Sequence, residues 1–214
     1  DTYVAYLHAT GGTRLNDFRQ QNEESPYWGV INQMRTSYTP ADLQVGFKAS
    51  PLPGLGFHLF GGYRVTKDEI FHLYPDITDT DFPYCYSLLM QEKAKVGYGG
   101  IKAAYGYKDI FDFSVGGTYY GWNVKDEAKV LLYLKPEFVL DASARAKVYD
   151  EFWISAVYRY EGRVKAGELE KADAINNLSL SAGYEFFNSL NVFVRFNNLL
   201  NQDYITEAGY PFKD

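Results

Sequence analysis

Two runs of alternating side chains, Asn177 to Phe186 and Leu190 to Asn197, constrain this chain more than any other feature. Leu178, Leu180, Ala182, Tyr184, Phe186, Leu190, Val192, Val194 and Phe196 take the even positions. Asn177, Ser179, Ser181, Gly183, Glu185, Asn191, Arg195 and Asn197 take the odd ones, with Phe193 alone out of step. Successive side chains of a β-strand point to opposite faces, so a two-residue period of this length predicts two-faced strands. Phe187-Asn188-Ser189 is the tight connection between them. What lies against the apolar face decides the class of the protein.

The same period recurs along the chain. Strands are predicted over Thr2 to Ala9, ended by Gly11-Gly12, and over Asp42 to Ser50, Leu55 to Val65 and Glu92 to Tyr107. Phe111 to Gly121, Phe138 to Val148 and Phe152 to Gly162 follow, and with the opening pair the count is about nine, antiparallel and sequentially paired. Within Glu92 to Tyr107 the alternation changes phase at Gly99-Gly100. A β-bulge there would put Ala94, Val96 and Tyr98 on the face of Ile101, Ala103, Tyr105 and Tyr107. No segment carries a convincing helical period; residues 66–90 and 124–129 read as polar connections.

Connection lengths alternate. Short turns fall at 51–54, 108–110, 149–151 and 187–189, all on one edge of the predicted sheet; long polar loops at 10–38, 66–90, 124–129 and 163–175 fall on the other. Transmembrane barrels are built this way, with tight turns on the periplasmic side and longer loops outside. The polar face holds ionised residues in mid-strand: Asp42, Lys48, Arg64, Lys102, Asp112, Asp141, Arg145, Lys147, Arg159, Glu185 and Arg195. They need water or pairing, which a wet lumen supplies. Of these, Asp42, Lys48, Arg64, Asp112, Asp141, Arg145, Arg159, Glu185 and Arg195 are the candidates for facing the lumen.

Composition fits a membrane barrel. Aromatics make up 18% of the 214 residues, with 20 Tyr and 15 Phe, and those on the apolar face gather near strand ends. Tyr105, Tyr107, Phe111, Phe113, Phe152 and Phe186 lie near the short turns, and Tyr63, Tyr119, Tyr158 and Tyr160 lie towards the long loops. From Phe152 to Tyr160 is about 26 Å along a strand, or roughly 20 Å after a tilt near 40°, which matches an apolar band flanked by aromatic girdles. A soluble sandwich mimics the alternation but not the one-sided loops. No run of 18 apolar residues predicts a membrane-spanning helix, and a spanning strand needs only about 9–11 alternating residues. The fold class expected is all-β: an antiparallel up-and-down transmembrane barrel segment. Asp1-Thr2-Tyr3-Val4 reads straight into a strand, as in a mature chain or an internal piece.

The end of the opening stretch then becomes informative. Val192-Phe193-Val194-Arg195-Phe196-Asn197-Asn198-Leu199-Leu200-Asn201-Gln202-Asp203-Tyr204, followed by Gly209-Tyr210-Pro211, resembles the last segments of TonB-dependent outer-membrane receptors. There an alternating strand runs into an Asn-Leu-x-Asn-x-x-Tyr element and a Gly-Tyr-Pro loop before the final strand. The motif residues are Asn198, Leu199, Asn201, Tyr204, Gly209, Tyr210 and Pro211. The resemblance implies a barrel of about 22 strands whose lumen holds a plug domain. Neither plug nor energy-coupling box is present here, and an odd strand number does not close a bacterial barrel. Residues 1–214 are therefore expected to be a single segment, the C-terminal part of a larger barrel without its last strand. By the same resemblance the parent sits in the outer membrane of a Gram-negative bacterium. It contacts lipid, its own plug and the TonB system, and takes up a scarce ligand such as a metal chelate, vitamin or glycan. A passive porin or structural barrel is the alternative.

Other chemistries find little support. A net charge of −6 argues against a nucleic-acid partner. One cysteine, Cys85, excludes an internal disulfide and a cysteine-based zinc site. His8, His58 and His72 stand on separate elements without ligand spacing. Each is followed two places on by Thr10, Phe60 or Tyr74 rather than Ser, so the His-x-Ser pairing of an outer-membrane phospholipase is missing. No catalytic residue, cofactor or metal site is expected. Asp76, Asp79 and Asp81 lack the spacing of a known calcium loop and read as a solvated outer loop. Tyr27, Trp28, Tyr74, Tyr84, Tyr86 and Trp122 are the loop aromatics that either stack on a ligand or pack the loops together.

Overall fold

The structure is a computed structural model, described for residues 2–17, 19, 28–29, 34–73, 87–187, 190–207 and 210–212; for 28–29, 87–88, 205–207 and 210–212 only the backbone is described. The strands are β1 (Thr2–Arg14), β2 (Trp28–Gly29), β3 (Ser37–Leu52), β4 (Leu55–Leu73), β5 (Ser87–Tyr107) and β6 (Phe111–Asn123). β7 (Pro136–Lys147), β8 (Phe152–Arg163), β9 (Ile175–Phe186), β10 (Leu190–Phe196), β11 (Tyr204–Glu207) and β12 (Tyr210–Phe212) follow. All the long strands join one antiparallel sheet in the order β1-β3-β4-β5-β6-β7-β8-β9-β10, so neighbours in sequence are neighbours in space. β2 adds a short parallel pairing to the start of β5, and β11 with β12 forms a separate hairpin. β1 and β10 each pair with one neighbour only, leaving two open edges among the described residues.

The tight connections between successive strands fall at one end of the sheet, as expected. In the first, Gly54 adopts φ +80, and a Cβ there would stand 1.9 Å from the Gly106 carbonyl oxygen. Only glycine fits both the left-handed backbone and that approach. The approach is useful, because the Gly106 amide donates to the Gly54 carbonyl at 2.8 Å and ties the turn to the end of β5.

Three expectations are corrected. First, no bulge interrupts β5 at Gly99-Gly100. Its register is continuous with β4 from Leu55↔Tyr105 to Thr66↔Ala94, and with β6 from Lys95↔Asn123 to Tyr107↔Phe111. Ala94, Val96 and Tyr98 therefore share the face of Lys102, opposite Ile101. Gly100 has another cause: a Cβ there would meet the Gly117 carbonyl oxygen at 2.5 Å and the Cζ of the Phe60 ring at 2.8 Å. Shifts occur elsewhere: at Thr10/Gly12 in β1, at Tyr38/Ala41 and Ala49/Leu52 in β3, at Pro136/Phe138 in β7, and at Thr66/Glu69 in β4, where Asp68 takes φ 54.

Second, the strands run farther than alternation alone predicts. β1 continues past Gly11-Gly12 to Arg14, paired with Ser37. β4 and β5 extend their ladder through Glu69↔Glu92 to Leu73↔Leu88, inside a stretch expected to be a loop. Apolar and charged residues mix on both faces there, so the two-residue period disappears although the backbone stays extended.

Third, the connection after β6 is not only a polar loop. Asp126–Leu132 forms a 3-10 helix. Its Ala128, Leu131 and Leu132 are buried against Phe71, Ala94 and Ala166, with Trp122, Val124 and Val164 packed around them. Phe71 has no exposed surface, and the Lys135 ammonium sits 5.2 Å from its ring centre, a cation–π contact. On the helix surface, Lys129 lies 2.7 Å from Asp126, and that hydrogen bond holds the Asp126 carboxyl below the ordinary carboxylate range. This knot lies at the long-connection end and is the main apolar core of the described chain.

The sheet proper has no such core. Leu7, Val45, Leu59, Ile101 and Val192, all on its apolar face, each keep more than half of their surface exposed. Phe47, Phe57, Phe113, Ile154 and Leu180 extend the same bare surface across the strands. A contiguous apolar face spanning nine strands far exceeds what a monomer leaves to water.

Candidate functional site

The opposite face carries every mid-strand ionised residue singled out from the sequence. Cross-strand partners share a face, so the register groups them without ambiguity. One row runs Lys48↔His58↔Lys102↔Gly116↔Asp141↔Arg159↔Asn177. A second, nearer the short turns, runs Asp112↔Arg145↔Ser155↔Ser181↔Arg195. Asp42 opposes Arg64, and Glu185 opposes Asn191. Asp42, Lys48, Arg64, Asp112, Asp141, Arg145, Arg159, Glu185 and Arg195 thus stand on a single polar face.

The charges are unevenly paired. Arg159 bridges Asp141 and Glu161 at 2.9 Å each, and Arg163 takes the other oxygen of Glu161 at 2.7 Å. The Tyr98 hydroxyl donates to Asp42 at 3.2 Å, and the Arg195 Nε donates to the Ser181 hydroxyl at 3.3 Å. Lys48, Lys102 and Arg145 have aromatic partners instead: the first lies over the Tyr6 ring at 5.6 Å, the second over Phe60 at 5.7 Å, the third over Trp153 at 4.7 Å.

Glycines make these stacks. Tyr6 opposes Gly46, Tyr98 opposes Gly62, Phe60 opposes Gly100 and Trp153 opposes Gly183. At all four a Cβ would come within 2.8 Å of the facing ring. Each ring therefore lies flat on bare backbone, a pairing known from designed sheets as rescue of a strand glycine. The polar face becomes a low-relief floor of aromatics with cations seated on top. Sequence reading missed Tyr6, Phe60, Tyr98 and Trp153, because a glycine opposite an aromatic is a signal only once pairing is known.

Several candidates serve the loops. Trp122 donates its indole N–H to the Pro136 carbonyl at 2.8 Å and stacks under Lys135, so it packs the knot. Trp28 lies in β2, where only the backbone is described; Tyr27, Tyr74, Tyr84 and Tyr86, with Asp76, Asp79, Asp81 and Cys85, lie outside the described residues. His8 stands on β1, and His58 and His72 on β4. His58 is hydrogen-bonded to the Tyr6 hydroxyl at 2.8 Å. Among the described residues no three His, Cys, Asp or Glu gather as a metal would need.

No family model and no curated protein matches the chain. Solved structures do. The copper transporter OprC superposes with a TM-score of 0.68 at 14% identity, over 99% of this chain and 35% of its own. FpvA of P. aeruginosa, solved bound to heterologous pyoverdines, gives 0.66 at 18% identity over 98% and 28%. The ferric-catecholate import receptor Fiu from E. coli K12 gives 0.64 at 15% over 95% and 29%. The fold is that of part of the barrel of such TonB-dependent receptors. The chain spans about a third of the length of these proteins.

In this fold the Asn-Leu-x-Asn-x-x-Tyr element has a structural explanation. Asn198 and Asn201 both take positive φ, 45 and 47, where Asn is tolerated because its short side chain bonds the local backbone. The buried Asn198 side chain accepts from the Gln202 amide at 3.2 Å and donates to the Gln202 carbonyl at 3.1 Å. Gln202 in turn donates to Ala174 at 2.8 Å and accepts from the Asn176 amide at 2.7 Å. The Leu199 amide reaches the Leu178 carbonyl at 2.9 Å, and Tyr204 is buried. The element locks the end of β10 onto the start of β9. Tyr210 and Pro211 lie in β12, a hairpin rather than the loop expected; Gly209 lies outside the described residues.

A test follows from the lock. Asn198→Ala removes two hydrogen bonds and leaves part-buried backbone groups of Gln202 unpaired, at about 1–3 kcal/mol. Amide exchange should accelerate over 198–203 and at Asn176, while the β9–β10 ladder keeps its protection. Unchanged exchange in that segment would contradict the lock.

Proposed function

We propose that residues 1–214 form a single segment, the C-terminal part of the barrel of a TonB-dependent transporter in the outer membrane of a Gram-negative bacterium. The apolar face meets lipid, the charged face lines the lumen, and the plug and the rest of the wall come from the parent chain. The transporter takes up a scarce ligand, driven by the TonB system through the plug. The observation that carries this reading is the bare apolar face on an up-and-down sheet that superposes over 99% of the chain on a receptor barrel.

A metal chelate is the ligand class favoured over a vitamin or glycan. The supporting fact is that the similar proteins bear the names of a copper transporter, a ferric-catecholate import receptor and a pyoverdine receptor. Loop aromatics would contact that ligand; among them Trp122 is engaged in packing, which leaves Tyr27, Trp28, Tyr74, Tyr84 and Tyr86 as the candidates.

Deleting the parent gene and measuring growth under metal limitation tests this reading. The expected result is a growth defect on one class of metal chelate, reproduced by loss of TonB. Uptake that persists without TonB and rises linearly with external concentration would replace the transporter with the passive porin.

A further inference from the structure

The long-connection knot covers the polar face of the sheet, not the apolar one. Ala94 and Val96 share the Lys102 face of β5, and Trp122 opposes Val96. Phe71 opposes Met90, which is in phase with Ala94 along β5. Cross-strand partners share a face, so these side chains all point towards the side that carries the charges. Apolar groups are costly to leave in a wet interior. Here the 3-10 helix folds inward and buries Phe71 and Ala94 under Ala128, Leu131 and Leu132. Exposure along β8 shows where the cover begins. The Arg159 side chain keeps 48% of its surface, whereas that of Arg163, farther outward on the same face, keeps 4%. Arg163 lies under the chain that leads from the helix into β7, donating to the Leu134 carbonyl and pairing with Glu161 at 2.7 Å. Backbone bonds stitch the cover together: the Val164 amide donates to the Lys135 carbonyl at 2.9 Å, and the Lys135 amide to the Leu132 carbonyl at 2.9 Å. Beyond β10, buried Tyr204 lines a cavity of about 550 Å³ with Arg159, Glu161, Asn177 and Ser179, so the chain there also turns over the polar face. A helix packed into a core in this way opens only by local unfolding, not by swinging as a hinged lid.

We infer that the 3-10 helix and the turn around Ala166 form a fixed inward shelf across the outer ends of β4 to β8, and that this shelf limits the size of solute admitted to that side of the interior. Phe71 is its keystone, since it joins the shelf to β4. Selection by size is then a property of the barrel wall, separate from capture of the ligand by loop aromatics. The inference rests on the proposed reading only in that the polar face is a wet interior entered from the long-connection side.

The test uses the full parent protein in intact cells, with its native cysteines replaced by serine and Thr118→Cys as reporter. Thr118 opposes Gly100 on the polar face of β6, nearer the short turns than Trp122. A small methanethiosulfonate and a polymer-linked maleimide are added from outside, and labelling is read by peptide mass and gel shift. The small reagent should label the reporter in every background. The polymer should be excluded while the knot is intact and should label several-fold faster once Phe71→Ala opens it. Phe71→Leu should keep the exclusion. Leu131→Ala loosens the helix without touching the ladders and should also admit the polymer, so the test stands if Phe71→Ala fails to assemble. Equal polymer labelling with the knot intact would overturn the inference. So would continued exclusion where amide exchange shows the 3-10 helix open, because the plug or another loop of the parent would then set the limit. A reporter closed to both reagents would overturn it too, since nothing then enters on that side. None of these outcomes depends on growth under metal limitation, so the two readings fall separately.

Discussion

Leu180→Arg is expected to impair assembly of the barrel in the membrane, at a cost of about 2–4 kcal/mol for a cation near the bilayer midplane. Leu180 sits in the middle of β9 on the apolar face, between Ala156 and Phe196 in the register, and is 42% exposed with nothing covering it. Its neighbour Ser179 points the other way, so Ser179→Arg should lie within the ±0.5 kcal/mol usual for a solvated surface. Ser179 is a better control than Ser181, which already receives Arg195 and would bring a second guanidinium beside it. The fraction of protein migrating in its folded form before boiling reads the difference. Equal loss from both variants would contradict the assignment of the two faces.

Phe71→Ala should be the most damaging change outside the membrane band. The ring is wholly buried at the centre of the long-connection knot, so truncation removes its packing and leaves a cavity, at about 3–5 kcal/mol. It also removes the support of Lys135. The loss should be local, because the β-ladders do not depend on this cluster. Limited proteolysis and amide exchange should show the 3-10 helix and the 163–175 connection opening while β6 to β9 remain protected. Phe71→Leu, which keeps most of the volume, should retain the knot. Global unfolding of Phe71→Ala would show that the knot nucleates the sheet rather than capping it.

The two faces of the sheet were legible because their physics is local. Alternation in Leu178 to Phe186 or Phe138 to Val148 reports which side each residue takes, and register confirms it. Turn residues such as Pro53-Gly54 and Lys108-Asp109-Ile110 were legible for the same reason. Gly99-Gly100 misled because the cause of Gly100 lies across the sheet, in Phe60 on one side and the Gly117 backbone on the other. The extension of β4 and β5 was hidden because Lys67 to Leu73 are packed by loops rather than divided between lipid and water. The 3-10 helix was hidden because its apolar residues answer to Phe71 and Ala166, distant in sequence. The ionised residues of the polar face could be named from the sequence. Which of them are paired, as Arg159 is, and which sit on aromatics, as Lys48 and Lys102 do, required the register.

The central claim is that one face of this sheet meets hydrocarbon and the other water. It is tested most directly by nitroxide labels at positions 178 to 182, one at a time, in the full parent chain with Cys85 and any other native cysteine replaced by serine and reconstituted in vesicles. Collision rates with oxygen, which concentrates in lipid, should peak at 178, 180 and 182. Rates with a water-soluble nickel chelate should peak at 179 and 181. Profiles that rise and fall together, or that lack a two-residue period, would contradict the barrel wall.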